Sequence, residues 1–310
     1  MEQVKIHFLN TIWSDVFVLQ TNDHYALIDT ATDYYYPMLK KHLNDLNIKN
    51  IDFILLTHFH SDHYGCLTNL IKDYNVNTLY LKQYYGLEGS TSGGVEAETT
   101  YIEKQINNYN EILKEANRNN TNIIYIDIEN KDNYIIDFYN IKLHLYNINN
   151  DLYDIYNDSS SLYYNVRAFS ENHNSIVTFF KVNDFSILLA SDLTCENHEI
   201  DALDNKAIKI VKEIYKQHNI NHIDVYKTCH HGHSHNNPLE LLKLVKANYN
   251  IITNTSRWVD NFSIINNIKS VNLKSDILLT DHQKYIFTID ENITYKKIDD
   301  ESLFIILKKD

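Results

Sequence analysis

The stretch that decides the fold is Leu55–Gly65, LLTHFHSDHYG, which crowds three histidines and one aspartate into six positions. It starts within the apolar run IDFILLT, whose length and composition are typical of a buried strand. Histidines two positions apart after a strand can bind one cation if the loop turns back, and the aspartate–histidine pair that follows then faces a second cation. Imidazole and carboxylate suit zinc, and also iron or manganese. The four candidate ligands are His58, His60, Asp62 and His63.

Two later stretches place further ligand types behind apolar runs. In LLASDLT, Asp192 stands at a strand end, where its two oxygens could each bind one of two neighbouring metals. Taken alone, an aspartate after a strand is more often a helix cap. In KTCHHGHSH, one of His230 and His231 would complete the second metal's ligands, and the other would be free to contact substrate. Together the three stretches predict a two-metal centre.

The order of predicted elements indicates a layered α/β domain. Three alternating strands open the chain, a helix follows at about 36–46, and strands and helices then alternate. Gly65 allows a tight exit from the histidine motif into the next helix. The acidic, hydroxyl-rich segment 149–161 predicts an exposed loop. Since no Pro- or Ser-rich linker and no internal repeat is present, we expect one domain, residues 1–310, made of two similar halves.

Composition limits the classes of function. The formal net charge of −13 disfavours nucleic acid as a partner, because neutralising phosphates needs clustered Lys and Arg. No run approaches the ~20 apolar residues of a membrane helix, so no membrane segment is expected. The start, MEQVKIHFLN, has none of the features of a secretory signal, which predicts a cytoplasmic protein unless an export signal has been removed. The three cysteines are too few for a disulfide framework, and the oligomeric state is left open.

The segment His58–His63 resembles the HxHxDH signature of the metallo-β-lactamase fold. ALIDT, which contains Asp29, is similar to the strand before that signature, and the pieces follow the family's order across residues 4–260. The resemblance implies a four-layer αββα sandwich, two zinc ions (Zn²⁺) and a shallow active site at the sheet edges. More specifically, KIHFLN, TLYLKQY, NSIVTFFKVN and DVYKTCHHGH resemble segments of the phosphorylcholine esterases, which are teichoic-acid phosphodiesterases. The hydrolase domain of competence-type DNA-uptake proteins is the next resemblance.

The family's site residues carry over to matching positions of this sequence. The implied ligands are His58 and His60 for metal 1, Asp62, His63 and His231 for metal 2, and Asp192 as the bridge between them. His230 would contact the phosphate or protonate the leaving oxygen, so His230, Asp62 and Asp192 are the expected catalytic residues. Asp29 would accept a hydrogen bond and orient the ligand loop.

The chain departs from the family pattern at two points. Ala31 stands where the family usually has a glycine after IDT, so that turn is expected to differ. Many members also have a separate histidine on metal 1, and His173 is the nearest histidine to that place in the sequence.

The expected activity is that of a dinuclear zinc hydrolase acting on a small phosphoester. Two divalent ions lower the pKa of a shared water and neutralise charge on a phosphoryl oxygen, so a metal-bridging hydroxide would attack a phosphodiester such as a phosphorylcholine ester. Iron or manganese would also fit these ligands. A trimethylammonium group binds best in a cage of aromatic faces. The candidate substrate-binding residues are Trp13, Tyr34, Tyr84, Tyr85 and Trp258.

Three alternatives are distinct from this expectation. A metal-dependent nuclease related to the DNA-uptake hydrolases has the same ligands, although the acidic charge counts against it. A carboxyl-ester, lactone or thioester hydrolase is compatible with the fold. A non-catalytic, metal-binding regulatory protein would hold substrate without turning it over.

Overall fold

The structure, a computed structural model, describes residues 3–89, 94–129, 134–167, 169–193, 206–255, 261–281 and 283–299. The strands are β1 Val4–Phe8, β2 Phe17–Thr21, β3 His24–Ile28, β4 Asn50–Leu55, β5 Asn75–Leu81, β6 Asn122–Tyr125, β7 Tyr134–Phe138, β8 Ile141–Tyr146, β9 Val177–Val182, β10 Phe185–Leu189, β11 Val225–Lys227, β12 Tyr249–Ile252, β13 Asp276–Leu279, β14 Gln283–Ile289 and β15 Ile293–Asp299. The helices are α1 Tyr36–Asp45, α2 Ser61–Tyr64, α3 Leu67–Asp73, α4 Gly94–Arg118, α5 Ile126–Glu129, α6 Asp151–Asn157, α7 Lys206–His218, α8 Leu239–Val245 and α9 Asn261–Val271.

Contacts between residues divide the chain into two compact units. The first unit consists of Met1–Tyr25, Ile135–Asn147 and Ile176–Asp310, and the second of Ala26–Tyr134 and Ile148–Ser175. The strands form two sheets flanked by helices, which confirms the predicted α/β class. The prediction of a single domain over residues 1–310 stays a prediction.

Seven strands of the first unit form one sheet in the order β13-β12-β11-β10-β9-β8-β7. Strands β10 to β13 run parallel, and β9 is antiparallel to β10. Helices α7 and α8 contribute Ile214 and Leu241 to the apolar cluster that also contains Phe179 and Tyr226 of the sheet. Because β10 and β11 are parallel neighbours, the segments that follow them start at the same edge of the sheet. Those segments hold the candidate ligands of this unit.

The first unit also contains four antiparallel strands in the order β15-β14-β1-β2. The ring of Phe8 on β1 packs edge-on against Phe17 of β2 at 5.2 Å and against Phe287 of β14 at 5.5 Å between centroids. All three rings are buried, so aromatic packing joins these strands on one face. His7, beside Phe8 on β1, is buried as well, and its Nε2 lies 3.2 Å from Oε1 of Gln20.

Burial of His7 predicts a loss of stability in mild acid. Burial lowers the pKa of His7 from 6.5 to about 4, although the hydrogen bond with Gln20 opposes the shift. The unfolded chain therefore takes up a proton as the pH falls through 6.5, whereas the folded chain does not until about pH 4. The free energy of unfolding should fall across this window by roughly 3 kcal/mol on account of His7. Urea unfolding of wild type and His7→Gln at a series of pH values measures it.

The matched control for this prediction is His222→Gln, since His222 is an exposed histidine of the same unit. Between pH 6.5 and 4, the free energy of unfolding of His7→Gln should fall less steeply with decreasing pH than that of wild type. The control should show the same pH dependence as wild type. An identical pH dependence in wild type and His7→Gln would contradict the prediction.

The second unit is built on four parallel strands in the order β3-β4-β5-β6. Helix α1 confirms the helix predicted at about 36–46: Leu39 and Leu43 are one turn apart and both fully buried, and Pro37 lies in its first turn. Helix α4, with 25 residues, is the longest helix in the described part of the chain. Within the described ranges, no helix has both the length and the apolar character needed to span a membrane.

The prediction of an exposed loop over 149–161 was wrong in part, because residues 151–157 form helix α6. The side chain of Asn150 caps this helix by accepting a hydrogen bond from the backbone N–H of Tyr153 at 3.4 Å. Asp151 and Asp154 lie in the first turn, where negative charge stabilises a helix, and Leu152 is buried. The acidic residues that suggested a loop therefore stabilise the N-terminus of a helix.

Candidate metal centre

The ligand loop of the second unit follows β4, next to the end of β3. Ile28 and Leu55 are opposite each other in this parallel pair, and the backbone N–H of Asp29 donates to the carbonyl of Leu55 at 2.9 Å. The buried carboxylate of Asp29 then accepts hydrogen bonds from the backbone N–H of Thr57 at 2.8 Å and from Nδ1 of His63 at 2.7 Å. Since Nδ1 of His63 carries the donated proton, Nε2 is the nitrogen that can bind a metal.

His58 and His60 lie with their nitrogens at the spacing of two ligands of one ion. Nε2 of His58 is 3.2 Å from Nδ1 of His60. Metal–nitrogen bonds of about 2.0–2.1 Å in a tetrahedral site place two ligand nitrogens about 3.3 Å apart. The other nitrogen of each ring has a partner: Nδ1 of His58 is 3.2 Å from Oγ1 of Thr57, and Nε2 of His60 is 3.2 Å from Oε2 of Glu88. These two residues therefore fit one divalent ion.

Asp62 and His63 form a second pair in the same loop. Both lie in the short helix α2, and Oδ2 of Asp62 is 3.6 Å from Nε2 of His63. Nε2 is the same nitrogen that the hydrogen bond to Asp29 leaves for a metal. A carboxylate oxygen and an imidazole nitrogen at this distance suit a second divalent ion.

Two small residues allow the chain to pass closely around this loop. Ala31 has φ of +61°, so this turn has the left-handed conformation that glycine, the usual family residue here, adopts freely. Gly65 has no such φ, but a β-carbon at this position would lie 2.7 Å from the carbonyl carbon of Thr32 and 2.6 Å from the carbonyl oxygen of Ser61. The requirement for glycine at 65 is therefore close backbone approach.

In the first unit, Asp192 and His231 lie at the ends of neighbouring parallel strands. Oδ2 of Asp192 is 3.1 Å from Nε2 of His231, and both side chains are buried. Nδ1 of His231 is 3.0 Å from Oγ1 of Thr253 and 3.2 Å from Oδ1 of Asp15. Burial alone would lower the pKa of His231, but the carboxylates of Asp192 and Asp15 raise it well above 6.5. The arrangement repeats that of His63: one nitrogen is anchored and the other faces a carboxylate.

His230 is less buried than His231 and, unlike it, has a lowered pKa. Its Nδ1 is 3.2 Å from Oδ1 of Asn236, and its Nε2 is 3.8 Å from Oδ2 of Asp192. Burial lowers the pKa of His230 below 6.5, with Asp192 opposing the shift, so this imidazole is neutral at pH 7.

The backbone is strained where the first unit presents these groups. Ser191, His230 and His231 have φ values of +51°, +44° and +49°, in the left-handed region that costs residues with a β-carbon about 1–2 kcal/mol each. Such strain is typical of functional sites, because surrounding contacts must hold it in place. The backbone N–H of His230 donates to the carbonyl of Ser191 at 2.9 Å, which is one of those contacts.

Comparison with known proteins identifies the architecture. A model of the metallo-β-lactamase superfamily matches residues 14–104. The metallo-β-lactamase fold protein YhfI from Bacillus subtilis is 8% identical over 96% of this chain and 100% of its own, with a TM-score of 0.51. The chain has the metallo-β-lactamase fold. The predicted αββα sandwich is thereby confirmed.

Two other solved structures resemble the chain. A mutant of the β-hydroxylase CmlA is 10% identical over 96% of this chain and 54% of its own, with a TM-score of 0.51. Igni18 from Ignicoccus hospitalis, described as a metallo hydrolase, is 10% identical over 96% of this chain and 98% of its own, with a TM-score of 0.45. At 10% identity the likeness to the CmlA mutant concerns the fold alone. A search of curated protein sequences found no match.

The aromatic residues considered for substrate lie in different surroundings. Trp13 packs edge-on against His233 at 5.5 Å, Tyr34 against Tyr35 at 5.4 Å, and the ring of Tyr85 lies 4.4 Å from that of Tyr153. Trp13, Tyr34 and Tyr85 are exposed. Tyr84 is buried, and its hydroxyl donates to Oε1 of Glu88 at 2.5 Å. Trp258 lies outside the described residues.

His173, considered for metal 1, is buried in a short 3-10 helix at Glu171–Asn174. Its Nδ1 donates to the carbonyl of Ser170 at 3.1 Å, and its ring lies 4.9 Å from that of Phe169. These contacts are typical of a histidine packed in the interior of the second unit.

Sequence reasoning missed three buried charged residues beside the candidate ligands. Asp15 and Lys227 form an ion pair in the first unit, and Glu88 accepts from His60 in the second. Lys227 occurs in DVYKTCHHGH, one of the segments that carried the resemblance, so a signal existed for it. Asp15 and Glu88 stand in stretches without a ligand motif, so no sequence pattern could have indicated them.

Proposed function

We propose that the protein is a metal-dependent hydrolase that binds two divalent ions, with zinc the best match to nitrogen and carboxylate ligands. The proposed ligands are His58 and His60 for metal 1, Asp62, His63 and His231 for metal 2, and Asp192 for both. The observation that carries the proposal is the 3.2 Å between Nε2 of His58 and Nδ1 of His60, with the opposite nitrogen of each ring already hydrogen-bonded. When bound, two such ions supply Lewis acidity and lower the pKa of a water toward neutrality.

The proposed substrate class is a small phosphoester, most naturally a phosphodiester such as a phosphorylcholine ester. Its support is the resemblance of several segments to the phosphorylcholine esterases, together with the exposed rings of Trp13, Tyr34 and Tyr85, which could face a trimethylammonium group. Tyr84 is buried, so its part would be to hold Glu88.

His230 is proposed to contact the substrate phosphate. As a neutral imidazole with a depressed pKa it is poorly suited to give up a proton in the free protein. A bound phosphate would raise its pKa through its negative charge, after which His230 could protonate the leaving oxygen. The substrate would thus create its own proton donor.

The test combines metal analysis with a panel of esters. We expect about two divalent ions per chain from the ligand count, hydrolysis of p-nitrophenylphosphorylcholine, and loss of that activity with a chelator. Cleavage of bis-p-nitrophenyl phosphate or single-stranded DNA without cleavage of the choline ester would replace the proposal by the nuclease alternative. Full metal content without turnover on any ester would favour the regulatory alternative, and failure to bind metal would reject the proposal.

A further inference from the structure

Glu88 is a buried carboxylate that the proposed reaction does not use. The residue is 3% exposed, and each of its two side-chain oxygens has a donor. Oε1 accepts the hydroxyl of Tyr84 at 2.5 Å, and Oε2 lies 3.2 Å from Nε2 of His60. Because burying an ionised carboxylate is costly unless donors compensate, these two contacts account for how Glu88 is held in the interior.

The contact with Glu88 determines how the ring of His60 is oriented. A carboxylate accepts, so Nε2 of His60 carries the proton and Nδ1 keeps its lone pair. Nδ1 is the atom that lies 3.2 Å from Nε2 of His58. Glu88 thus selects both the tautomer and the rotation that present His60 to a metal shared with His58.

The neighbouring side chains hold Glu88 and the ligand loop together. The ring of Tyr84, whose hydroxyl binds Glu88, packs 4.6 Å from the ring of Phe59, which stands between the two histidines in sequence. Phe59 is buried, and its carbonyl accepts from Nε2 of Gln105 at 3.2 Å. The residue after Glu88, Gly89, donates its backbone N–H to the carbonyl of Phe169 at 2.7 Å. The main chain beside Glu88 and the tyrosine that binds its carboxylate are therefore both held by contacts with other segments of the second unit.

We infer that Glu88 is a positioning residue for metal 1, acting through His60, and that Tyr84 fixes the Glu88 carboxylate. This inference rests on the proposed function, because it presumes that His58 and His60 bind a metal. A carboxylate that receives the free N–H of a ligating histidine holds the ring in place and raises its basicity, and removal of such a partner typically weakens metal binding about 10–100-fold. The effect should fall on metal 1, since Asp29, and not Glu88, holds His63.

The experiment measures binding of Co²⁺ to the metal-free protein, by calorimetry and by the visible absorption of the bound ion. Wild type should bind two ions in distinguishable steps. Glu88→Gln keeps the size of the side chain but loses its charge, and should weaken one step about 10–100-fold while the other stays within about threefold. Tyr84→Phe keeps the carboxylate but removes one of its donors, and should weaken the same step less.

The matched control is Glu115→Gln. Glu115 is also 3% exposed, lies on α4 of the same unit, and pairs with Arg118 at 2.9 Å. This variant removes a buried carboxylate without touching His60, so both binding steps should match wild type. If Glu88→Gln does not fold, Tyr84→Phe decides the question.

Three outcomes would overturn the inference. If the variants bind both ions as wild type does, Glu88 has no positioning role. If both steps weaken equally in Glu88→Gln or Tyr84→Phe, the role of Glu88 is general stabilisation of the fold. If wild type binds no Co²⁺, the inference and the proposed function fall together. No substrate is used, so these results are read independently of whether any phosphoester is hydrolysed.

Discussion

Asp192→Ala should lower turnover about a thousandfold or more, because under the proposed function Asp192 is a ligand of both ions, and its loss would remove several kcal/mol of transition-state stabilisation. The carboxylate of Asp192 is buried, and its two oxygens face different partners. Oδ2 lies 3.1 Å from Nε2 of His231, and Oδ1 lies 3.5 Å from Nζ of Lys227. The proposal assigns this residue the bridging position. Steady-state kinetics on the preferred ester, with metal content measured on the same sample, test the expectation.

The control for this substitution is Asp184→Ala. Asp184 is an exposed aspartate in the turn that precedes β10, the strand that leads to Asp192. This variant should keep wild-type turnover and metal content. Full activity and full metal content in Asp192→Ala would refute the bridging role. Lost activity with full metal content would instead indicate that Asp192 contacts the substrate and does not bind metal.

The ligand motif of the second unit was predictable because its information is local. The apolar run before it forms β4, which ends at Leu55. His58 to His63 then follow within one loop and one short helix, so their spacing in sequence largely sets their spacing in the structure. The helix at 36–46 was predictable for the same reason, since its apolar residues repeat at the helical period.

The contacts that orient the candidate ligands were not predictable, because they join residues far apart in the chain. The hydroxyl of Thr253 donates to Asp15 across 238 positions, and Glu88 lies 28 positions from His60. A single carboxylate carries no periodicity that would connect it to either partner. The sequence could indicate which histidines are candidate ligands, but only the fold shows what fixes each ring.

Composition misled where charge had a local structural role. Segment 149–161 is acidic and rich in hydroxyls, which favours a loop, yet Asn150 and the aspartates after it form the start of α6. The turn at Ala31 is a second position where the residue type alone was misleading. Its left-handed φ shows that a conformation usually given to glycine can be held with a β-carbon when the surroundings are rigid.

Lys227→Met should lower the free energy of unfolding of the metal-free protein by about 3–5 kcal/mol, the cost typical of removing one partner of a buried ion pair. Lys227 and Asp15 are both 0% exposed and form an ion pair with each other. Nζ of Lys227 also donates to the carbonyl of Ser191 at 3.0 Å. Burial alone would lower the pKa of this lysine, but Asp15 and Asp192 raise it, so the side chain is charged in the folded protein.

The mechanism of this loss can be separated from simple repacking by a double-mutant cycle. Methionine fills nearly the same volume, so the cost of Lys227→Met comes mainly from removing the cation that pairs with the buried carboxylates of Asp15 and Asp192. Asp15 still accepts from Thr253 at 2.7 Å and lies 3.2 Å from Nδ1 of His231, so it keeps part of its compensation. Neutralising that carboxylate with Asp15→Asn in the Lys227→Met background should recover about 1–3 kcal/mol. Urea unfolding of the wild type, both single variants and the double variant gives the coupling energy. Strict additivity of the two single changes would show that the pair contributes no mutual stabilisation, and the loss in Lys227→Met would then come from packing or from its contacts with Ser191 and Asp192.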